Sequence, residues 1–183
     1  LYPGQNTTEL CPTVDFEGRP IYQNGAEPDA AEIESRRKNF HAVYHSALKE
    51  QIDRVHKKHG AILLLDCHSI RSRLPFLFKG ELPNLNLGTN NTNTCDPKFE
   101  DAAVEVCSNA NGYSFVINGR FKGGWTTRHY GKPVSGVHAI QLELGQSTYM
   151  DEYEPWIYRE EKAAKLRIHL QKLLSCLEQL VKT

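Results

Sequence analysis

The spacing of apolar residues along the chain predicts where helices form. In residues 29–59 and 155–182, apolar side chains recur at intervals of three and four positions, which places them along one face of a helix. A proline and several acidic residues mark the start of the first stretch, and basic residues followed by a glycine mark its end. Residues 97–111 are predicted to form a further helix between these two.

Short apolar segments between the helices predict strands. Residues 61–66 form an apolar run without alternation, which is typical of a strand buried on both faces. Residues 113–118 and 137–144 are predicted as two more strands. Residues 82–96 are rich in Asn, Thr, Gly and Pro and are predicted to be a loop, and residues 119–136 carry five glycines and one proline, too irregular for a helix.

The alternation of helices and strands favours the α/β class. We expect a mixed central sheet that is flanked by helices on both faces. The length of 183 residues suits one domain, so residues 1–183 are predicted to form a single α/β domain.

Composition and charge exclude several kinds of partner. Lys plus Arg and Asp plus Glu are both 22, so there is no electrostatic case for binding nucleic acid or an anionic membrane surface. No apolar run approaches the roughly 20 residues of a membrane span. The five cysteines include no CxxC pair, and the amino terminus lacks the basic and apolar segments of a signal peptide. We therefore expect free thiols and a cytoplasmic location.

The strongest candidate for chemistry is the segment from Asp66 to Ser69, directly after the first predicted strand. Functional residues of open α/β sheets collect at the carboxyl ends of strands. Asp66 lies two residues before His68, so its carboxylate could orient the imidazole either as a metal ligand or as a general base. A core histidine that is satisfied by a neighbouring acid is the alternative. Cys67 should point to the opposite face, toward the core.

A second candidate is Glu143, which stands inside the apolar strand 137–144. Carboxylates are rarely buried without a partner, and partial burial moves the pKa of a carboxyl group toward neutrality. Glu143 could thus act as a general base. The alternative is a glutamate on an edge strand that faces water.

A third candidate is the basic, glycine-rich segment 118–131, which contains Arg120 and Arg128. Glycines let the backbone approach a ligand closely, and arginine binds carboxylates through paired hydrogen bonds. This pattern suits an acidic small molecule better than a phosphate, because no P-loop motif is present. A flexible surface loop is the alternative.

Together these segments resemble the N-formylglutamate amidohydrolase family. The resemblance runs in order along nearly the whole chain, through residues 1–8, 66–72, 118–131, 137–144 and 149–152. It implies a fold related to zinc carboxypeptidases and aspartoacylases. It also implies a zinc-dependent hydrolase of histidine degradation that cleaves the formyl amide of N-formyl-L-glutamate to glutamate and formate.

The resemblance also assigns roles to individual residues. His68 matches a metal ligand, with Asp66 as the partner that orients it, and Glu143 matches the carboxylate that serves as general base. Arg128, together with Arg71 or Arg120, would hold the carboxylates of a small acidic N-acyl amino acid.

One departure from the family pattern affects the zinc prediction. The family's early His and acidic ligands have no counterpart in this chain, and a catalytic zinc needs about three protein ligands. The chain begins at Leu1, and Met150 is its only methionine. We therefore expect it to be roughly the C-terminal two-thirds of a longer amidohydrolase domain. A related deacylase, a carboxypeptidase-like hydrolase and a metal-free binding module remain alternatives.

Overall fold

The computed structural model describes residues 9–182. Their contacts divide the chain into two compact units. The first unit contains the described residues up to Asp53 together with Arg73–Glu81, and the second contains Arg54–Ser72 and the residues from Leu82 onward. The opening segment of the resemblance, residues 1–8, lies outside the described residues. Among the described residues, no helix combines the length and the apolarity that crossing a bilayer requires.

The first unit holds an irregular segment and the start of the predicted long helix. Helix α1 spans Ala30–Arg36, and the Asp29 carboxylate caps it by accepting a hydrogen bond from the Glu32 amide at 2.8 Å. A π-helical turn, Arg37–His41, joins it to helix α2, Ala42–His59. The wider turn changes the register of the apolar positions. The first half of the predicted apolar stripe is exposed, with Phe40 at 72%.

The second unit is built on a mixed four-stranded sheet in the order β1-β4-β2-β3. Strand β1 (Ile62–Ile70) pairs in parallel with β4 (Val137–Gly145). Strand β2 (Leu85–Gly88) runs antiparallel to β4 and parallel to β3 (Phe115–Ile117). This confirms the predicted mixed α/β sheet.

Helices cover both faces of this sheet. Helices α3 (Pro97–Ser108) and α5 (Glu160–Lys182) contribute to the hydrophobic core on one face. Helix α4 (Trp125–Tyr130) contacts β4 and β1. The buried core residues are Leu85, Leu87, Cys95, Phe99, Ala103, Cys107, Ala110, Ile140, Leu142, Leu166, Leu173 and Leu177.

Four predictions about these elements were wrong. The supposed loop 82–96 contains β2, all four residues of which are buried. The supposedly irregular segment 119–136 contains α4. The last helix starts at Glu160 rather than at residue 155, because Trp156 has φ 58° and Tyr158 bridges to Met150. Strand β1 is an edge strand of the described sheet and is therefore only partly buried.

The cysteines are all free thiols, as predicted. Cys67 does lie on the face of β1 opposite to His68, because neighbouring side chains alternate along a strand. The prediction that it is part of the core was nevertheless wrong, since Cys67 is exposed on the edge strand.

Candidate active site

The pairing register of β1 and β4 brings four polar side chains onto one face of the sheet. Asp66 is opposite Gln141, and His68 is opposite Glu143. Paired residues of adjacent strands share a face, and residues two apart in one strand also share it. The intervening Leu142 points to the other face and is part of the core. The sheet therefore carries an apolar face and, near the carboxyl ends of β1 and β4, a polar cluster of Asp66, His68, Gln141 and Glu143.

Asp66 orients the imidazole of His68. The Nε2 atom of His68 lies 3.0 Å from Oδ1 of Asp66. This hydrogen bond is the main reason that the pKa of His68 is raised above its ordinary value, and burial acts in the opposite direction. The His68 side chain is 50% exposed whereas that of Asp66 is 17% exposed, so the imidazole is the member of the pair that a ligand can reach.

Glu143 is the buried carboxyl group of the cluster, with only 6% of the residue exposed. Burial raises its pKa to about 7, while the neighbouring His68 and a hydrogen bond from Gln141 act to lower it. A carboxyl group with a pKa near neutrality can both accept and return a proton under physiological conditions. The expectation that Glu143 is desolvated inside β4 is therefore confirmed, and the alternative of a water-facing glutamate is wrong.

Hydrogen bonds link helix α4 and the residue before it to β4 and β1, the two strands that carry the polar cluster. The Gly124 amide donates a hydrogen bond to Oε1 of Gln141 at 2.5 Å, and Nε2 of Gln141 donates to Oε2 of Glu143 at 3.2 Å. The buried Thr127 hydroxyl lies 3.5 Å from Oδ2 of Asp66. Gln141 was not among the predicted site residues, although its position two residues before Glu143 in a strand is the signal that places it on the same face.

Glycines in β2 and directly before α4 allow the segment that leads into α4 to lie close to the sheet. A Cβ atom at Gly88 would lie 2.4 Å from the backbone nitrogen of Gly123 and 2.7 Å from the carbonyl carbon of Lys122. Gly123 itself has φ 105°, a conformation that favours glycine. The glycine-rich segment therefore folds directly onto β2 and is not a flexible surface loop.

Asn86 is another residue of this face that the sequence analysis missed. It pairs with Glu143 across β2 and β4, and its Nδ2 donates to the carbonyl oxygens of Pro83 at 2.7 Å and of Glu143 at 3.1 Å. Its Oδ1 atom is buried and has no hydrogen-bond partner within the described residues. The amide thus fixes the backbone at Glu143 from the neighbouring strand.

The three candidate arginines occupy different positions. Arg128 is half-buried on α4, next to Thr127, and its Nε donates to the Gly124 carbonyl at 3.3 Å. Desolvation lowers the pKa of Arg128. Arg71 is half-buried and directly follows β1, whereas Arg120 is exposed on the segment between β3 and α4. Arg128 thus lies on a helix that contacts β4 and β1, while Arg120 lies on the surface.

The side chains described here do not form a metal site by themselves. Within residues 9–182, no three His, Cys, Asp or Glu side chains are arranged to hold a metal ion. His68 is a suitable nitrogen ligand with an acidic partner, but one imidazole falls short of the roughly three protein ligands of a catalytic zinc site. The described donor set therefore does not fit a zinc ion on its own.

Comparison with known proteins connects this geometry to one family. A family model described as N-formylglutamate amidohydrolase matches residues 1–150. An N-formylglutamate deformylase of Pseudomonas putida is 48% identical over 177 residues, which cover 97% of this chain and 66% of the relative. The N-formylglutamate deformylase of Pseudomonas aeruginosa is 47% identical over 171 residues, which cover 93% of this chain and 64% of the relative. The chain therefore spans slightly less than two-thirds of the length of these relatives.

Two solved structures share the fold. The N-formylglutamate amidohydrolase of Ralstonia eutropha JMP134 superposes with a TM-score of 0.74 at 25% identity, over 88% of this chain and 57% of that one. A gene product of Agrobacterium tumefaciens superposes with a TM-score of 0.65 at 17% identity, over 92% of this chain and 62% of that one, and this likeness concerns the fold alone. The family match over residues 1–150 and the two close relatives show that this chain belongs to the N-formylglutamate amidohydrolase family.

Proposed function

We propose that this chain carries the general base of a hydrolase that cleaves the formyl amide of N-formyl-L-glutamate to glutamate and formate. The observation that carries the proposal is the placement of His68 opposite Glu143 on one polar face, at the carboxyl ends of two parallel strands. Family membership and the printed names of the two Pseudomonas relatives support the choice of substrate. By the same resemblance, the reaction would belong to histidine degradation. The free thiols support the cytoplasm as its location.

In this proposal Glu143 moves the proton. Its carboxylate takes a proton from the attacking water and passes it to the leaving amine, which then departs as the amino group of glutamate. The pKa of about 7 suits both transfers, since the group is partly ionised at neutral pH and becomes an acid after the first step. Burial also keeps bulk water from competing with the proton transfer.

Arginines would hold the substrate by its carboxylates. Arg128 is the primary candidate because α4 is attached to the same strands that carry Glu143 and Asp66. Arg71 follows β1 and would be a second contact, and Arg120 would contribute from the surface. A bidentate guanidinium-carboxylate pair fixes the orientation of the amide as well as its position.

His68 is the residue that we propose as a metal ligand, with Asp66 as its orienting partner. A bound zinc ion would supply a Lewis acid and lower the pKa of water to about 7. A complete zinc site would need ligands besides those that the described residues supply, so the roles above are assigned to Glu143 and the arginines alone.

A substrate panel tests the proposed function. The purified protein is assayed for release of formate from N-formyl-L-glutamate, for release of acetate from N-acetyl-L-aspartate, and for cleavage of a peptide with a free carboxyl terminus. We expect formate release to have the highest kcat/KM. Preference for the second or third substrate would instead support the deacylase or the carboxypeptidase-like alternative.

A metal-free binding module is the second candidate function, because the described residues supply one imidazole and not three ligands. Metal content and calorimetric titration with N-formylglutamate separate the two candidates. Bound metal with turnover supports the hydrolase. Binding of N-formylglutamate without metal and without formate release supports the binding module.

A further inference from the structure

We propose that Gln141 is a positioning residue. Its side chain links helix α4 to the Glu143 carboxylate and so holds this proton-transferring group at a fixed position relative to the proposed substrate-binding helix. This inference rests on the proposed function of Glu143. It concerns a residue for which neither the sequence pattern nor the family match gives a role.

The hydrogen bonds of Gln141 connect two parts of the candidate site. Its side chain is buried, with 5% of the residue exposed, so each polar atom of its amide needs a partner within the protein. The Oε1 atom accepts the Gly124 amide at 2.5 Å, and Nε2 donates to Oε2 of Glu143 at 3.2 Å. The Gln141 amide therefore forms hydrogen bonds both with Gly124, the residue directly before α4, and with Glu143, the candidate base.

The arrangement requires an amide rather than another side chain. An amide is both a donor and an acceptor, whereas a carboxylate only accepts and an apolar chain does neither. The backbone leaves little room for a different geometry, because a Cβ atom at Gly124 would lie 3.1 Å from the Gln141 oxygen. The length of glutamine and the absence of a side chain at position 124 thus fit each other.

A second hydrogen bond, between Thr127 and Asp66, helps to fix the position of α4. Gln141 is the register partner of Asp66, whose carboxylate contacts the Thr127 hydroxyl at 3.5 Å and the His68 ring at 3.0 Å. Helix α4 is therefore linked to β4 through Gln141 and to β1 through Asp66. With both links in place, the helix that carries Arg128 keeps a fixed distance from Glu143.

Two substitutions separate the two hydrogen bonds. Gln141→Glu preserves the acceptor for the Gly124 amide but loses the donor to Glu143 and places a second carboxylate beside it. Gln141→Met has a similar length and loses both bonds. Thr94→Val is the matched control. The buried Thr94 hydroxyl donates to the carbonyl of Ala139 at 2.8 Å, and Ala139 lies on β4 like Gln141. The substitution therefore also removes one buried hydrogen bond to this strand.

Steady-state kinetics with N-formylglutamate give the first readout. We expect Gln141→Glu to lower kcat by about 10-fold to 100-fold with KM within about 2-fold of the wild type, since misplacement of about 1 Å has effects of this size. Gln141→Met should lower kcat and also raise KM, because α4 is no longer held. Thr94→Val should leave both parameters unchanged per folded molecule. The proposal is overturned if Gln141→Glu keeps the wild-type kcat, or if Gln141→Met leaves KM unchanged.

Amide hydrogen exchange at Gly124 gives a second readout that does not require turnover. Loss of the Gln141 acceptor should speed exchange of the Gly124 amide at least 10-fold in Gln141→Met, while Gln141→Glu and Thr94→Val should keep the wild-type protection. Equal protection in all four proteins overturns the link to α4. If the wild type released no formate, the proposed function would fail, and the exchange rates would still decide whether Gln141 holds α4.

Discussion

His68 and Glu143 lie opposite one another in the parallel pair of β1 and β4, and each changes the protonation of the other. The nearby imidazole acts to lower the pKa of Glu143. The pKa of His68 is raised mainly by its hydrogen bond to Asp66, and the nearby Glu143 carboxyl group adds a smaller effect in the same direction. For Glu143 the effect of burial is larger and leaves the pKa at about 7. Glu143 therefore changes charge near neutral pH.

The stability of the protein should depend on pH through Glu143. Its pKa in the folded state, about 7, lies above its ordinary value of 4.5. The folded state thus binds this proton more tightly, so the contribution of Glu143 to stability is complete below about pH 4.5 and is lost as the pH rises through 7. Glu143→Gln should have a larger free energy of unfolding than the wild type at pH 8, by on the order of 1 to 3 kcal/mol, and nearly the same value at pH 4.5.

Urea unfolding at pH 4.5 and pH 8 measures this difference. Glu105→Gln is the matched control, because Glu105 is exposed on α3. The control should show no pH-dependent difference from the wild type. A difference for Glu143→Gln that is the same at both pH values would mean that Glu143 titrates normally.

Substrate affinity should depend on Arg128 more than on Arg120. Arg128 is half-buried on the helix attached to the polar cluster, whereas Arg120 is exposed. Arg128→Ala should raise KM for N-formylglutamate at least 10-fold, and Arg128→Lys should recover only part of the loss because an ammonium cannot form the bidentate pair. The same kinetic assay on Arg120→Ala should give a change of less than about 3-fold. The reverse order would place the carboxylate clamp at Arg120.

Gly88 should be intolerant of any side chain. Its added Cβ atom would collide with the backbone at Gly123 and Lys122, which cannot rotate away. Gly88→Ala should lower the free energy of unfolding by about 2 kcal/mol or more. Gly119→Ala is the comparison, because there the nearest atoms, at 2.9 and 3.1 Å, are the two γ-carbons of the Val116 side chain and not backbone. Thermal melts in which the two variants lose equal stability would contradict the close packing of the segment before α4 on β2.

Much of the fold could be predicted from the sequence where apolar patterns are long. Strand β4 and helix α3 were found within one to three residues of their observed ends, because their apolar residues face one core. Strand β2 was missed since its Asn and Gly are typical of loops. It becomes a strand because it pairs with β3 and β4, and because Nδ2 of the buried Asn86 donates to two backbone carbonyls. Partners that are distant in the sequence leave no pattern within the segment itself from which a strand could be predicted.

The candidate site was predictable where a residue stands out within its own segment of the sequence. His68 and Glu143 stand out as polar residues at the end of one apolar strand and inside another, so each could be proposed from its own segment. Gln141 and Asn86 could not, because their importance depends on which strands pair and in which register. Helix α4 was missed because it is short and follows glycines, and its position depends on contacts with Gln141 and Asp66.

The most direct test of the account is formate release from N-formylglutamate by the wild type and by Glu143→Gln, with Glu105→Gln measured alongside. The wild type and the control should release formate at the same rate. Glu143→Gln should bind the substrate with similar affinity in calorimetric titration but turn it over about 10²-fold to 10⁴-fold more slowly, the usual effect of losing a positioned general base. Wild-type turnover by Glu143→Gln would contradict the role assigned to this carboxylate and, with it, the proposed active site.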